Sequence, residues 1–202
     1  MDIKSLCNKQ TLGMKSSMIR ELVEMTKGVP GLISFAGGFP SPKSFPGKDL
    51  ADIFYQTIVE EGEDALQYGS SGGDRELKEA IVRFEDFSFE QDEIHISNGA
   101  TNGIYYALRT FSEPGDCIVS ESPSFLGSLV CFEAIGAEIL PVSMDGEGIN
   151  TDELEEKINQ ARKQGKRIKM IYTIPDFQNP SGITMSRKRI EELIRVAIEN
   201  NI

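Results

Sequence analysis

Apolar side chains recur along the chain with two periods, which predict the order of its helices and strands. Apolar residues at every third or fourth position predict helices at residues 16–28, 48–62, 74–86, 101–111, 125–136, 151–165 and 186–200. Short apolar runs predict strands at residues 93–97, 116–121, 137–143 and 167–174. Strands and helices alternate from residue 93 onward, which predicts an α/β fold with a mostly parallel sheet and helices on both faces.

Polar residues at the start of several periodic segments indicate where helices begin. Asp74, and Asn150 or Thr151, precede such segments and are predicted N-caps. The last helix carries an apolar stripe that is predicted to face the core: Ile190, Leu193, Ile194, Ala197 and Ile198. With 202 residues, the chain is long enough for one domain, or for one domain and an arm.

The composition, 39% hydrophobic and 26% charged residues, is typical of a soluble globular protein. A formal net charge of −11 disfavours nucleic acid and anionic membranes as partners, because both require a cationic surface. No apolar run approaches the roughly 20 residues of a membrane span. Cys7, Cys117 and Cys131 form no CxxC pair, so neither a disulfide framework nor a metal site is predicted. We expect a cytoplasmic protein.

Unusual loops follow the predicted strands, at the edge of a parallel α/β sheet where ligands bind. The stretch "SNGATNG", residues 97–103, joins a strand to a helix through small residues that leave the first helical N–H groups uncovered. These N–H groups and the helix dipole favour an anion such as phosphate. The alternative interpretation is an ordinary glycine-containing turn with an Asn or Thr cap.

Two further loops follow the next strands of the predicted sheet. In "ESPSFLG", residues 121–127, the ring of Phe125 can stack on a flat ligand, although a phenylalanine more often belongs to the core. In "YTIPDFQNPSG", residues 172–182, two prolines flank Asn179, whose amide can bind a ligand oxygen, although most Asn-Pro pairs only start a turn. Together the three loops describe a planar, phosphorylated ligand such as pyridoxal phosphate.

Five stretches carry a resemblance to a known family: "ISFAGGFPSPKSFP", "ALQYGSSGGDRELKEAI", "ISNGATNGIYYALR", "FSEPGDCIVSESPSF" and "YTIPDFQNPSG". In this order they resemble the class I/II, fold-type I aminotransferases, and most closely the branch with 2-aminoadipate and kynurenine aminotransferases. The resemblance spans residues 14–200 but corresponds to about the N-terminal half of a family member, so we expect a sequence that is cut short. It implies an N-terminal arm and crossing loop at residues 1–46 and an incomplete large cofactor-binding domain at residues 47–202.

The resemblance implies roles for individual residues in holding pyridoxal 5′-phosphate. The backbone amides of Ala100 and Thr101 would hold the cofactor phosphate. Phe125 would stack on the pyridine ring, where the family often has Tyr, and Asn179 would donate to the phenolic oxygen. Tyr68 matches a tyrosine that reaches the phosphate of the neighbouring subunit, which implies a homodimer with shared active sites.

Two further matches concern the substrate. Gly38 matches a backbone position that lines the substrate pocket. Arg20 matches an arginine that meets an acidic substrate side chain, although it can equally be a solvent-facing helix residue. The resemblance implies that the Schiff-base lysine, the aspartate at the pyridinium nitrogen and the arginine for the substrate carboxylate follow Ile202, so no catalytic residue is assigned. Three lysines are not candidates for the Schiff base: Lys166, Lys169 and Lys188.

The resemblance implies a pyridoxal-phosphate aminotransferase that moves an amino group from an α-amino acid to a 2-oxo acid by ping-pong chemistry. The 202-residue chain alone is expected to be inactive. Two alternatives stay open. One is a non-catalytic product, either a truncated remnant or the ligand-sensing half of a regulator. The other is a different fold-type I enzyme, such as a β-lyase or a decarboxylase.

Overall fold

The computed structural model describes residues 2–8, 11–12, 24–33, 40–85 and 90–202. Its helices are α1 Gly47–Glu61, α2 Arg75–Glu85, α3 Ala100–Phe111, α4 Leu126–Ala134, α5 Thr151–Lys163 and α6 Arg187–Asn200. Its strands are β1 Cys117–Ser122, β2 Glu138–Asp145, β3 Gly148–Ile149 and β4 Ile168–Tyr172. The chain divides into two compact units, one formed by Ser17–Ser97 and the other by Met1–Ser16 with Asn98–Ile202. The domain boundary predicted between residues 46 and 47 stays a prediction.

Helices α1 and α2, in the unit Ser17–Ser97, confirm the helices predicted at residues 48–62 and 74–86. The predicted N-cap of α2 is also confirmed, because Asp74 Oδ1 accepts a hydrogen bond from Leu77 N at 2.8 Å. Of the helix predicted at residues 16–28, residues 24–26 are helical and residues 16–23 lie outside the described part of the chain.

The strand predicted at residues 93–97 is wrong for the described part of the chain. Gln91–Glu93 form a 3₁₀ turn, and no described strand pairs with residues 94–97. Ile96 N instead donates to Gly72 O at 3.1 Å. Gly73 approaches Ile96 so closely that an added Cβ would lie 2.3 Å from Ile96 Cγ1. The alternation of apolar residues correctly indicates extended backbone at Ile94. A strand also needs a neighbouring strand, and the loop at Gly72 lies beside this segment instead.

In the unit that contains Asn98–Ile202, four strands form one sheet in the order β3-β2-β1-β4. Strand β1 pairs in parallel with both β2 and β4, whereas β3 pairs antiparallel with β2. The predicted α/β fold with a mostly parallel sheet is therefore confirmed. Strand β3 escapes prediction because its two residues, Gly148–Ile149, are too few to carry a periodic signal.

Alternate side chains of β1 enter two separate apolar clusters, one on each face of the sheet. Cys117 and Val119 pack with side chains of α5 and α6, whereas Ile118 packs with side chains of α3 and α4. Each cluster contains a large, fully buried side chain from a helix, Ile158 on α5 and Phe132 on α4. Helices therefore cover both faces of the sheet, as predicted.

The apolar stripe predicted for α6 is partly wrong. Leu193 is buried as expected, and Val196, which the predicted stripe omits, is 0% exposed. Ile194 and Ile198 are 52% and 73% exposed. The packed face of α6 is therefore rotated toward Val196, and the apolar residues at the rim of the stripe stay accessible to water. A periodic pattern gives the direction of a buried face but not its width.

Candidate functional site

The order of the strands creates a crevice between the carboxyl ends of β1 and β4. From β1 the chain passes through α4 to β2, and from β2 it returns through α5 to β4 on the other side of β1. The helices that follow β1 and β4, which are α4 and α6, pack on opposite faces of the sheet. Ligands of open α/β sheets bind where the strand order reverses in this way. The loops after β1 and β4 border this crevice.

Helix α3 begins in the turn that was predicted to bind an anion. Its N-cap is Gly99, whose φ of 87° is accessible to glycine and whose lack of a side chain leaves the helix end open. The N–H groups of Asn102 and Gly103 donate to Gly99 O at 3.1 and 3.2 Å. Within the described residues, the N–H groups of Ala100 and Thr101 have no hydrogen-bond acceptor, and both residues are exposed. Two backbone donors at the positive end of a helix dipole are therefore accessible to an anion.

A buried cysteine connects this turn to α4. Cys131 Sγ on α4 lies 3.8 Å from Thr101 O, which accepts its weak hydrogen bond. Burial raises the pKa of the Cys131 thiol, so the thiol stays protonated and remains a donor at neutral pH. The contact fixes the start of α3 relative to α4, whose N-cap is Phe125.

Phe125 is held at the start of α4 with its side chain half-buried. Its carbonyl accepts hydrogen bonds from Ser128 N at 3.1 Å and from Ser128 Oγ at 2.6 Å. The ring lies over Gly127, because a Cβ added to Gly127 would be 2.5 Å from Phe125 Cε1. The absence of a side chain at position 127 therefore allows the ring to occupy this position.

The loop that carries Asn179 is closed on itself by hydrogen bonds. Gln178 N donates to Ile183 O at 2.8 Å, and Ser181 N donates to the side-chain oxygen of Gln178 at 2.9 Å. The peptide bond between Asn179 and Pro180 is cis. Asn179 is exposed, so its amide is accessible to a ligand from solvent.

Glu121 and Gln178 join the two loops of the crevice, and the sequence did not mark either residue as part of the site. Their exposed fractions are only 2% and 1%. Gln178 Nε2 donates to Glu121 Oε2 at 3.1 Å and to Pro123 O at 2.9 Å. This contact brings the loop of Asn179 to the end of β1, next to the loop of Phe125. The available signal was an acidic residue near the end of a strand that begins with apolar residues and is predicted to be buried, a place where carboxyl groups are rare unless they have partners.

Of the other predicted residues, one belongs to the second compact unit and two lie outside the described residues. Tyr68 belongs to the unit Ser17–Ser97 and is 100% exposed. Arg20 and Gly38 lie outside the described residues. The roles assigned to Ala100, Thr101, Phe125, Asn179 and these residues therefore stay predictions.

Two other kinds of site receive no support. In the described ranges, no group of His, Cys, Asp and Glu side chains is arranged to hold a metal ion. None of the helices there combines the length and the apolar content that a membrane span requires. An apolar groove of about 340 Å³ runs along β4 and is lined mainly by side chains such as Ile104, Met170 and Ile202. This groove offers few polar groups to orient a ligand, so we do not place the site there.

The fold and its crevice define the chain as a fold-type I transferase. The structure is similar to that of kynurenine aminotransferase from Pyrococcus horikoshii in complex with PMP, with a TM-score of 0.90 at 34% sequence identity. This similarity covers 99% of the present chain and 50% of that chain. The family model for aminotransferase class I and II matches residues 44–202, and the chain belongs to this family.

Named relatives agree with this assignment. Aromatic-amino-acid aminotransferase 1 of Thermococcus litoralis is 36% identical over 201 residues, which cover 98% of the chain and 48% of the relative. 2-Aminoadipate transaminase of Thermus thermophilus is 30% identical over 94% of the chain and 46% of the relative. The chain thus spans about half the length of the curated relatives it matches. The predicted family and fold are confirmed, and the pyridoxal-phosphate cofactor is confirmed at the level of the family.

Proposed function

We propose that the crevice holds pyridoxal 5′-phosphate through the residues that follow β1 and β4 and through the start of α3. The observation that carries the proposal is the open N-terminus of α3, where the N–H groups of Ala100 and Thr101 have no acceptor within the described residues. Two accessible N–H donors and the helix dipole suit a phosphate. A chain with a net charge of −11 requires a local site of this kind to bind any anion.

The remaining contacts would fix the cofactor ring. Phe125 presents a half-buried ring at the end of β1, and stacking of aromatic rings adds to the energy of burial. Asn179 presents an exposed amide on the neighbouring loop and would donate to the phenolic oxygen. When bound, the cofactor supplies an electron sink for chemistry at the α-carbon of an amino acid. Two backbone N–H groups, an aromatic ring and a side-chain amide are the kinds of group that pyridoxal 5′-phosphate requires.

For the whole protein, the proposed reaction is transfer of an amino group between an α-amino acid and a 2-oxo acid. The named activities of the relatives support this class of reaction. Arg20 and Gly38 are the proposed contacts to the substrate. The predicted cytoplasmic location stays a prediction.

The proposed assembly is a homodimer in which Tyr68 reaches the cofactor phosphate of a second copy. Its complete exposure leaves Tyr68 available for such a contact. Analytical ultracentrifugation tests the assembly, because a chain that stays monomeric at micromolar concentration with saturating cofactor would contradict it.

The proposal assigns no lysine of this chain to covalent attachment of the cofactor. Lys166 Nζ pairs with Glu138 at 2.6 Å, and Lys188 Nζ pairs with Glu192 at 3.6 Å. We also propose that the 202-residue chain does not catalyse the reaction on its own. The test is borohydride reduction with one equivalent of pyridoxal phosphate, followed by intact-mass measurement. Stoichiometric attachment at a single lysine would contradict the assignment.

Ala100→Pro tests the phosphate contact, because it removes one N–H and preserves the start of α3. Ala100 is the first residue of the helix, a position that favours proline, and the ψ of 159° at Gly99 suits a residue before proline. One hydrogen bond to a charged group corresponds to about 10- to 100-fold in affinity, and we expect a loss of this size for pyridoxamine 5′-phosphate by isothermal titration calorimetry.

Arg187→Pro is the matched control, because Arg187 is the first residue of α6 and its side chain is 94% exposed. This variant should bind pyridoxamine 5′-phosphate as tightly as the wild-type chain. Equal affinities of the A100P variant and the wild-type chain would refute the phosphate contact.

A further inference from the structure

Two fully buried polar side chains lie between the carboxyl ends of β1 and β4. Glu121 is the penultimate residue of β1, and Gln178 lies in the loop after β4, immediately before Asn179. Burial of a carboxyl group and an amide is unfavourable unless both are hydrogen-bonded. Both side chains meet this requirement, because each has several hydrogen-bond partners.

Within the described residues, the hydrogen bonds that the Glu121 carboxyl group accepts come from the segment that carries Asn179. One carboxyl oxygen accepts from the Thr173 hydroxyl. The other accepts from Ile174 N at 3.3 Å and from Gln178 Nε2 at 3.1 Å. None of these three donors belongs to a lysine or an arginine. The carboxyl group is therefore held by the polar groups of one loop and not by an ion pair.

Gln178 uses both ends of its amide group. Its Nε2 donates to Glu121 and to Pro123 O, and its Oε1 accepts from Ser181 N at 2.9 Å. The hydrogen bonds to Glu121 and Pro123 tie the loop to β1. The hydrogen bond from Ser181 holds the turn around Asn179. A single buried side chain therefore connects the position of this turn to the end of the sheet.

We infer that Glu121 and Gln178 are positioning residues that hold Asn179 at the distance from β1 at which its amide meets the cofactor's phenolic oxygen. The inference rests on the proposed function, because that function gives Asn179 its ligand. A pair of apolar residues would stabilise a buried contact equally well. The polar pair adds directional hydrogen bonds. The hydrogen bonds within the exposed loop do not attach it to β1, and the polar pair does.

The pair can be tested by exchanging donor and acceptor. Gln178→Glu places two carboxyl groups in contact and removes the donor to Pro123. The double variant E121Q/Q178E restores one donor and one acceptor across the contact. Asn179→Ala removes the amide that is being positioned, and Asn159→Ala, at an exposed site on α5, is the matched control.

The ligands are pyridoxamine 5′-phosphate and its 3-deoxy analogue, which lacks the phenolic oxygen. The ratio of their affinities isolates the contact of Asn179, because a general loss of structure weakens both ligands equally. We expect the wild-type chain and N159A to prefer the phenolic ligand by about 10-fold, as one hydrogen bond to a charged oxygen allows. N179A and Q178E should lose this preference, and the double variant should recover at least about one third of it.

Each outcome decides the inference. If Q178E weakens both ligands equally and keeps the preference, the pair is structural only and the inference is overturned. The same holds if both Q178E and a Gln178→Leu variant fail to fold, because the pair would then hold the whole sheet. Failure of the wild-type chain to bind pyridoxamine 5′-phosphate would refute the proposed function itself. Tight binding with no difference between the wild-type chain and N179A would refute the role of Asn179 alone.

Discussion

Replacement of Gly127 by alanine should affect the proposed stacking of Phe125 on the cofactor and the stability of the fold in different ways. A Cβ at this position would lie 2.5 Å from Phe125 Cε1 and 2.6 Å from Cζ, whereas ordinary contacts begin at 3.4 Å. The ring must therefore retreat by about 1 Å, which is easy for the far end of a side chain but changes where the ring meets a ligand. Aromatic stacking contributes about 0.5–1.5 kcal/mol, so we expect the affinity for pyridoxamine 5′-phosphate to fall about 2- to 10-fold.

Stability should change in the opposite direction. Gly127 lies in the first turn of α4 without a positive φ, and alanine favours a helix by up to about 1 kcal/mol over glycine. Calorimetric titration and thermal unfolding measured on the same samples therefore test the reasoning. Gly146→Ala is the control, because an added Cβ there meets no atom within 4 Å. An affinity for the G127A variant within about 1.5-fold of that of the wild-type chain would refute the stacking role of Phe125, since even the weakest stacking contact exceeds this.

Two predictions concern the fold that supports the crevice. The hydrogen bond from Lys157 helps to lower the pKa of Glu153 from 4.5 to about 2, so its stabilisation is complete above pH 4.5 and is lost as the pH falls through about 2. Glu153→Gln should cost about 1–3 kcal/mol in urea unfolding at pH 7 and almost nothing near pH 2, and a pH-independent cost would contradict this. Ile158→Ala, at a fully buried site, should cost about 2–5 kcal/mol, whereas Ile198→Ala should cost under about 1 kcal/mol. Equal costs would show that the exposed side of α6 is packed.

The sequence predicts those parts of the fold whose cause is local. The helix bounded by Asp74 is one example, because the cap and the apolar periodicity both lie within the segment itself. The strand predicted at residues 93–97 fails because pairing depends on a neighbour that a window of sequence does not contain. The prediction that Ile198 of α6 faces the core is wrong for a related reason, since the burial of a side chain depends on which other parts of the chain pack against it.

The candidate site divides in the same way. Small residues around Ala100 indicate an open helix start, and prolines around Asn179 indicate a fixed turn, because both effects act within a few residues. Glu121 gives only a weak signal, an acidic residue in a predicted strand, and Gln178 gives none. Their partnership spans 57 positions, so only the folded chain reveals it.

This long separation also predicts that the crevice forms late in folding. We expect the hydrogen bond between Gln178 and Glu121 to form late, because closing a loop of 57 positions costs more chain entropy than forming the short-range contacts within α3. Contacts that form after the rate-limiting step govern how fast a protein unfolds and have little effect on how fast it folds. We therefore predict that loss of the pair shortens the lifetime of the assembled crevice and leaves the folding rate almost unchanged.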